Sequence, residues 1–232
     1  MKTIIKILLA AALCTLLLAC KSGGKYKEEP FTVDLTLRQI EIGEIELQFD
    51  TFLSLGGLTK EAIKVTYIPR EDAVVLQFRQ SFVTYNQCWS RAGRQSFIHA
   101  LQKYNEDYDA RNLNRNVGRR ARQKYGVVEG FLLWMPFAFS IRAQANMDVQ
   151  LGYAFKDRAP YFTINQKEAE HVDPNTRDNN RTSPNITMYF TRAQAAELAA
   201  LFDPYFLSTL LSPNIDLDDI GNRREAARDD YY

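Results

Sequence analysis

Apolar residues alternate with polar residues over several short stretches of this chain, and this period of two restricts the fold more than any other feature. Residues 31–38 alternate strictly, and residues 44–49 alternate again after Gly43. Alternation of this kind predicts strands with one buried face. We expect these two strands to pair as a hairpin, with Gly43 at a turn or bulge that resets the register.

The same pattern recurs later in the chain. Residues 63–67 and 74–78 alternate on either side of Pro69-Arg70-Glu71-Asp72, which predicts a second hairpin. The stretch "VVEGFLLWMP" after Gly126 is apolar at nearly every position, which predicts a strand buried on both faces. Further strands are predicted at residues 139–145, 149–155, 161–166 and 186–190, with turns at Asn146-Met147-Asp148 and at "KDRAP". Short strands joined by tight turns indicate an antiparallel meander.

The spacing changes to a helical one from about Arg91. Phe97, Leu101, Tyr104 and Tyr108 are four, three and four residues apart, which predicts a long amphipathic helix. The pattern continues, or restarts after a kink, through residues 113–121 and ends before Gly126.

Two short helices are predicted near the C-terminal end. Thr191 and Gln194 form a capping-box pattern that begins the helix "RAQAAELAALF", and Asp203-Pro204 ends it and begins another. Strands and helices do not alternate one by one, so the sequence predicts an α+β fold. We expect an antiparallel sheet of about seven to nine strands, one long central helix and two short C-terminal helices.

The first twenty residues resemble a targeting signal. Two lysines precede an apolar run, residues 7–19, which is shorter than the roughly twenty residues that a helix needs to cross a bilayer. The run ends in Leu17-Leu18-Ala19-Cys20, which resembles the lipobox of bacterial lipoproteins. The resemblance implies cleavage before Cys20, acylation of its thiol and attachment of the mature chain to a membrane through these acyl chains. Lys21, rather than Asp, follows the cysteine, and in such lipoproteins this favours the outer membrane over the inner membrane.

The chain therefore divides into four parts. We expect a cleaved signal peptide at residues 1–19, a flexible tether at 20–30, a single α+β domain at 31–211 and a charged, loosely ordered tail at 212–232. The 29 basic residues fall to 27 when Lys2 and Lys6 leave with the signal, against 28 acidic residues. This balance gives no indication of a nucleic-acid partner.

Few residues in the body are suited to catalysis. Cys88, beside Trp89 near the start of the long helix, superficially resembles the nucleophile of cysteine hydrolases. His99 lies eleven residues on along the same helix, about 16 Å away, so His171 is the base that such a hydrolase would use. The alternative is a buried structural thiol beside a core tryptophan. No ligand spacing for a metal and no cofactor motif is present, so we expect neither metal nor cofactor and no enzymatic activity.

A run of six cations without an acid extends from Arg111 to Lys124. Arg111, Arg115, Arg119 and Arg122 would share one face of a helix, and such a face suits contact with anionic lipid or a cell-wall polymer. The alternative is a solvated face offset by the acidic residues just upstream, with Asp107 paired to Arg111.

Together these patterns favour a lipid-anchored protein of the bacterial cell envelope that acts as a non-enzymatic binding, structural or assembly module. Its partner would be an envelope protein, an anionic lipid or a cell-wall component. One alternative function is a carrier of a hydrophobic ligand, because a curved sheet rich in Phe and Tyr can enclose an apolar pocket. The other is the Cys88–His171 hydrolase.

Overall fold

The computed structural model describes residues 30–50, 58–80, 82–136, 143–156, 158–171 and 182–211. Ten strands occur in this part of the chain: β1 Ile40–Asp50, β2 Thr59–Ile68, β3 Ala73–Gln80, β4 Val83–Trp89, β5 Gly126–Pro136, β6 Ala143–Lys156, β7 Ala159–Gln166, β8 Ala169–Glu170, β9 Thr182–Ser183 and β10 Ile186–Phe190. The predicted signal peptide, the tether up to residue 29, residues 139–142 of a predicted strand, residues 172–181 and the tail from residue 212 lie outside the described residues.

Eight of these strands form a closed antiparallel barrel, in the order β1-β10-β7-β6-β5-β4-β3-β2, while β8 and β9 form a separate two-stranded sheet. The barrel closes where β1 pairs with β10; within the described residues the pairs are Gln48–Tyr189, Phe49–Met188 and Asp50–Thr187. The predicted antiparallel α+β architecture is confirmed at this level. The sequence pattern did not predict the closure, which pairs both edges of the sheet.

Several local predictions are confirmed. β2 and β3 form the expected hairpin around the 3-10 turn Pro69–Glu71. The register of β1 against β2 shifts between Glu41 and Gly43, so Gly43 lies at a bulge. In β5, Leu132 and Trp134 face the main core while Phe131 and Leu133 belong to a second cluster outside the barrel, so this strand is buried on both faces.

The first predicted strand, residues 31–38, is wrong. These residues form a turn and extended backbone without strand pairing, because closure of the barrel leaves no sheet edge for them to join. Residues 31–37, called the strap below, instead pack on the outside of β3, β4 and β5, where Val33 is buried in the second cluster with Cys88. The strap is held by Glu71, whose carboxylate accepts from the Asp34 N–H at 3.0 Å.

The turn predicted at Asn146-Met147-Asp148 is also wrong. All three residues lie inside β6, which runs without interruption from Ala143 to Lys156. Met147 belongs to the main core, whereas Asn146 lies on the outer face and donates to Phe31 O at 2.6 Å and to Glu129 Oε1 at 3.1 Å. The polar residues that resembled a turn are therefore the outward-facing positions of a long strand.

Three α-helices are described: α1 Arg91–Asp109, α2 Arg192–Phe202 and α3 Pro204–Thr209. The Ser90 hydroxyl caps α1, and Thr191 and Gln194 form the complete capping box predicted for α2. The stretch after α1 is not the α-helix that a four-residue spacing favours. Arg115–Gln123 is a pair of short 3-10 helices that meet at Gly118, where φ is 58°. The number of helical segments therefore exceeds the prediction.

Both α1 and α2 begin where a strand ends at the same rim, because β4 and β10 run in the same direction through the alternating barrel. We call this rim the helical end. Phe97 of α1 lies at the centre of the packing here, with its ring centroid 5.1 Å from Phe202, 5.4 Å from Phe162 and 6.0 Å from Trp89. We call these four rings the aromatic plug. Edge-to-face contacts of this kind contribute stability in addition to that from the apolar area that the rings bury.

Below this plug, a chain of polar side chains crosses the barrel. Gln87 of β4 and Gln166 of β7 are fully buried, and Gln87 Nε2 donates to Gln166 Oε1 at 3.2 Å. Trp89 Nε1 donates to Gln87 Oε1 at 3.0 Å. Side chains from widely separated strands therefore meet inside the barrel, as expected for eight strands whose interior is just wide enough to be filled.

Candidate functional site: a basic, aromatic groove at the helical end

A groove of about 410 Å³ opens at the helical end, between the end of α1 and the hairpin that joins β6 to β7. Its lining consists of Tyr108, Asp109, Arg111, Leu113, Phe155 and Pro160. Tyr108 is 37 % exposed and belongs to the few large apolar or aromatic residues at the surface of the described chain. We call this the α1 groove.

The end of α1 determines where Arg111 lies. The N–H of Asn112 bonds to Asp107 O at 2.8 Å and the N–H of Arg111 bonds to Tyr108 O at 3.1 Å, which is the hydrogen-bond pattern of a Schellman motif. In this motif the residue after the C-cap has left-handed backbone and is usually glycine. Here it is Arg111, with φ of 58°. The left-handed conformation of an arginine raises the free energy of the folded state by about 1 kcal/mol relative to the right-handed helical conformation.

Two further arginines stack on the aromatic walls of the groove. The Arg115 guanidinium lies 5.2 Å from the centre of the Phe155 ring, and that of Arg192 lies 4.6 Å from the Tyr108 ring. Arg192 also forms a salt bridge with Asp109, with Nη1 2.9 Å from Oδ1. Three separate elements, namely the Schellman turn, the 3-10 segment and the start of α2, therefore bring cations to one groove.

A tyrosine cluster supports the segment that carries Arg115. The Tyr153 hydroxyl accepts from the Asn114 N–H at 3.1 Å and donates to Asn114 O at 3.2 Å. Asp107 accepts from Lys124 Nζ at 2.6 Å and from the Tyr125 hydroxyl at 2.9 Å. The bond from Lys124 holds the pKa of Asp107 below its ordinary value. Both ends of the segment are thus bonded to the barrel and to α1.

The four arginines predicted to share a helical face are divided by this geometry. Arg111 and Arg115 lie at the α1 groove, but the break at Gly118 separates them from Arg122. The backbone carbonyl of Arg122 lies against Gly152 of β6 instead. Burial raises the pKa of Tyr189 to about 12, and the charge of Arg122 opposes that rise. Arg119 lies in the same segment, and its side chain is outside the described part of the structure. Asp107 bonds to Lys124 and Tyr125 rather than following the predicted pairing with Arg111.

A family model described as "Uncharacterised Treponema protein" matches residues 32–209, which extend from the strap to the last turn of α3. The chain belongs to this bacterial family. No curated protein matches the chain, and no solved structure does. The matched residues contain the whole barrel and every residue that lines the α1 groove.

In this family member the two candidate hydrolase residues lie in different surroundings. Cys88 is fully buried in the cluster beneath the strap, and burial raises the pKa of its thiol well above the ordinary value. His171 packs against Trp134, with ring centroids 6.2 Å apart, and its Nδ1 lies 3.2 Å from Gln144 O. A reactive cysteine needs a lowered pKa and access to solvent, so this environment does not support the hydrolase hypothesis.

The described residues contain no group of three or more His, Cys, Asp or Glu side chains placed to hold a metal ion. Within the same part of the chain, none of the helices has the length and apolar character needed to cross a membrane. Cys20, the predicted acylation site, lies outside the described residues.

Sequence reasoning did not assign Tyr108, Phe155 and Arg192 to a site. Tyr108 and Phe155 fit the apolar faces of a helix and a strand, and they come together only in the tertiary structure, where the end of α1 lies beside the β6–β7 hairpin. Arg192 carries a detectable signal, because it is the first residue of α2 and a cation there is unfavourable to the helix dipole.

Proposed function

We propose that this protein is a lipid-anchored component of the bacterial cell envelope, attached through Cys20, whose folded body acts as a non-enzymatic binding, structural or assembly module. The α1 groove is the observation that carries the proposal for the body. It concentrates exposed cations and aromatic surface at one end of the barrel, whereas the thiol of Cys88 is buried. The lipobox-like ending at Cys20 and the membership of a bacterial family support the anchoring.

A carrier of a hydrophobic ligand has less support. An eight-stranded barrel is compatible with either a small ligand or a filled interior. At the level of Gln87 and Gln166 the interior is filled, since the two side chains bond across it, and the aromatic plug around Phe97 occupies the level above. A binding surface on the outside of the barrel is therefore the better-supported function.

Lipid attachment can be tested by growing cells that express the full chain with a clickable fatty-acid analogue. We expect the analogue to label the wild-type protein and the Cys88→Ser variant but not the Cys20→Ser variant. The Cys88→Ser variant is the matched control, because it removes a thiol that the structure shows to be buried. Equal labelling of the Cys20→Ser variant would refute anchoring at this residue.

Membrane fractionation tests the location. We expect the wild-type protein in the outer-membrane fraction and, because Asp at this position retains such lipoproteins in the inner membrane, the Lys21→Asp variant in the inner-membrane fraction. Recovery of wild-type protein in the inner-membrane fraction would contradict the outer-membrane proposal.

A further inference from the structure

We propose that the α1 groove binds the anionic headgroups of a phospholipid surface, so that the folded body itself contacts the membrane. This inference rests on the proposed function of the body as a binding module and names its partner. It follows from the charges at the groove, the strained backbone of Arg111, the aromatic surface beside it and the length of chain that precedes the strap.

The first observation is an excess of positive charge at the groove. Among the described residues, neither Arg111 nor Arg115 forms a salt bridge, and Asp109 is already paired with Arg192. Within the described chain, Arg111 and Arg115 therefore supply two guanidinium groups without a carboxylate partner. A guanidinium group binds phosphate oxygens with two parallel hydrogen bonds, which suits a phosphodiester headgroup.

The second observation is the conformation of Arg111. Its left-handed backbone is the position in a Schellman motif that glycine fills without strain, yet an arginine occupies it and its side chain lines the groove. Backbone strain of this kind concentrates at functional sites. Binding of a ligand by the Arg111 guanidinium group would explain why an arginine occupies this strained position.

The third observation distinguishes a lipid surface from a free anion. Tyr108 is exposed, and the partly buried Leu113 and Phe155 adjoin it in the same lining. Tyrosine favours the interface between headgroups and acyl chains, and basic residues are attracted to an anionic leaflet. A small soluble anion would use the cations but would gain little from this aromatic surface.

The fourth observation is the length of the connecting chain. Ten residues separate Cys20 from Phe31, and a fully extended segment of this length reaches at most roughly 36 Å. An anchored body is therefore confined near the surface, where even a weak contact is favoured by a high effective concentration. One acyl chain plus a basic patch is a known route to firm membrane attachment.

The test uses residues 20–232 with Cys20→Ser, so that no acyl chain contributes to binding. Co-sedimentation is measured at low salt with vesicles of phosphatidylglycerol and phosphatidylcholine in equal parts, and with vesicles of phosphatidylcholine alone. We expect binding to the anionic vesicles only. Each of Arg111→Gly and Arg115→Gln should weaken this binding about fivefold, since a cation near such a surface contributes about 1 kcal/mol.

Two controls make the result specific. Arg79→Gln removes an exposed cation from β3 at the opposite end of the barrel and should leave binding unchanged. Arg111→Lys keeps the charge and should retain most of the binding. Arg111→Gly relieves left-handed strain, so its melting temperature should not fall below that of the parent chain.

Three results would overturn the inference. The first is equal binding to both kinds of vesicle. The second is an equal loss for Arg79→Gln and Arg111→Gly, which would indicate non-specific attraction. The third is complete competition by glycerol phosphate at the same ionic strength, which would identify a soluble phosphate ligand. None of them bears on the labelling of Cys20, and a failure of that labelling would leave the vesicle result unchanged.

Discussion

Replacing Gly152 with Ala tests whether the segment that carries Arg115 is fixed to the barrel by direct backbone contact. A Cβ atom at Gly152 would lie 2.1 Å from Ala121 O, 2.3 Å from Arg122 C and 2.5 Å from Arg122 O, while ordinary contact begins at 3.4 Å. Relief of the shortest contact needs a separation of at least about 1.3 Å between β6 and the segment. All three obstructing atoms belong to the backbone, so no side-chain rotation removes the clash.

The expected cost follows from this geometry. Overpacking by one carbon in a well-packed site costs about 1 to 3 kcal/mol, and a rigid backbone neighbour places Gly152→Ala near 3 kcal/mol. For a domain of this size that loss lowers the melting temperature by about 6 to 12 °C. Thermal and urea unfolding measure the loss, and amide hydrogen exchange at residues 115–124 shows whether the segment separates from β6.

Gly130→Ala is the matched control, because it makes the same substitution in the neighbouring strand. There the added Cβ would meet the ends of two side chains, Val149 Cγ2 at 3.0 Å and Met147 Cε at 3.3 Å. These groups can move by a few tenths of an ångström, so we expect a loss of about 1 kcal/mol or less. If Gly152→Ala melts within about 2 °C of Gly130→Ala, the close backbone approach is not what fixes the segment.

Two further predictions concern stability and access. Burial opposes ionisation of Asp72, but Arg94 and Arg91 outweigh it and lower the pKa, so the contribution of Asp72 is present above the unfolded pKa of about 3.9 and is lost as the pH falls. Asp72→Asn leaves the buried Arg94 without its carboxylate and should lower the free energy of unfolding by about 3 kcal/mol at pH 7. The variant should also lose less stability than the parent chain as the pH falls. Urea unfolding at a series of pH values measures both effects, and an unchanged loss of stability in acid would contradict the prediction. In the chain from residue 20 onward with Cys20→Ser, Cys88 is the single remaining thiol and should react with maleimide only after unfolding. Val33→Asp should loosen the strap and allow reaction in the folded state, whereas labelling of the folded parent chain at the unfolded rate would refute burial beneath the strap.

The local elements of this fold can be predicted from the sequence because each is determined by residues that are close to one another along the chain. The hairpin around Pro69–Glu71, the start of α1 after Ser90 and the capping box of α2 depend on spacing and cap chemistry over a few residues. Closure is different, since the contact of β1 with β10 joins residues more than a hundred positions apart. Alternation shows only that a strand has a buried face and leaves its partners undetermined.

The same distinction explains the errors. Residues 31–37 have the alternation of a strand and bury one face, but they lie across other strands instead of pairing with them. Asn146 and Asp148 resemble turn residues, but on the outside of a barrel polar residues are expected at every second position. Only part of the α1 groove could be predicted from the sequence. The cations are visible in the sequence, while the aromatic walls come from elements that the fold brings together.

The strap also determines how the barrel responds to tension. A pull applied at Phe31 would first load its carbonyl, which accepts a hydrogen bond from Asn146 of β6. It would then load the amide of Asp34, which donates to Glu71 in the turn between β2 and β3. The force would therefore be shared between β6 and the β2–β3 turn before it reaches β1. The described pairing between β1 and β10 lies at the end of β1 that is far from the strap, so it would be loaded after these two bonds. The strap therefore shields the contact that closes the barrel from force applied at the N-terminal side of the strap.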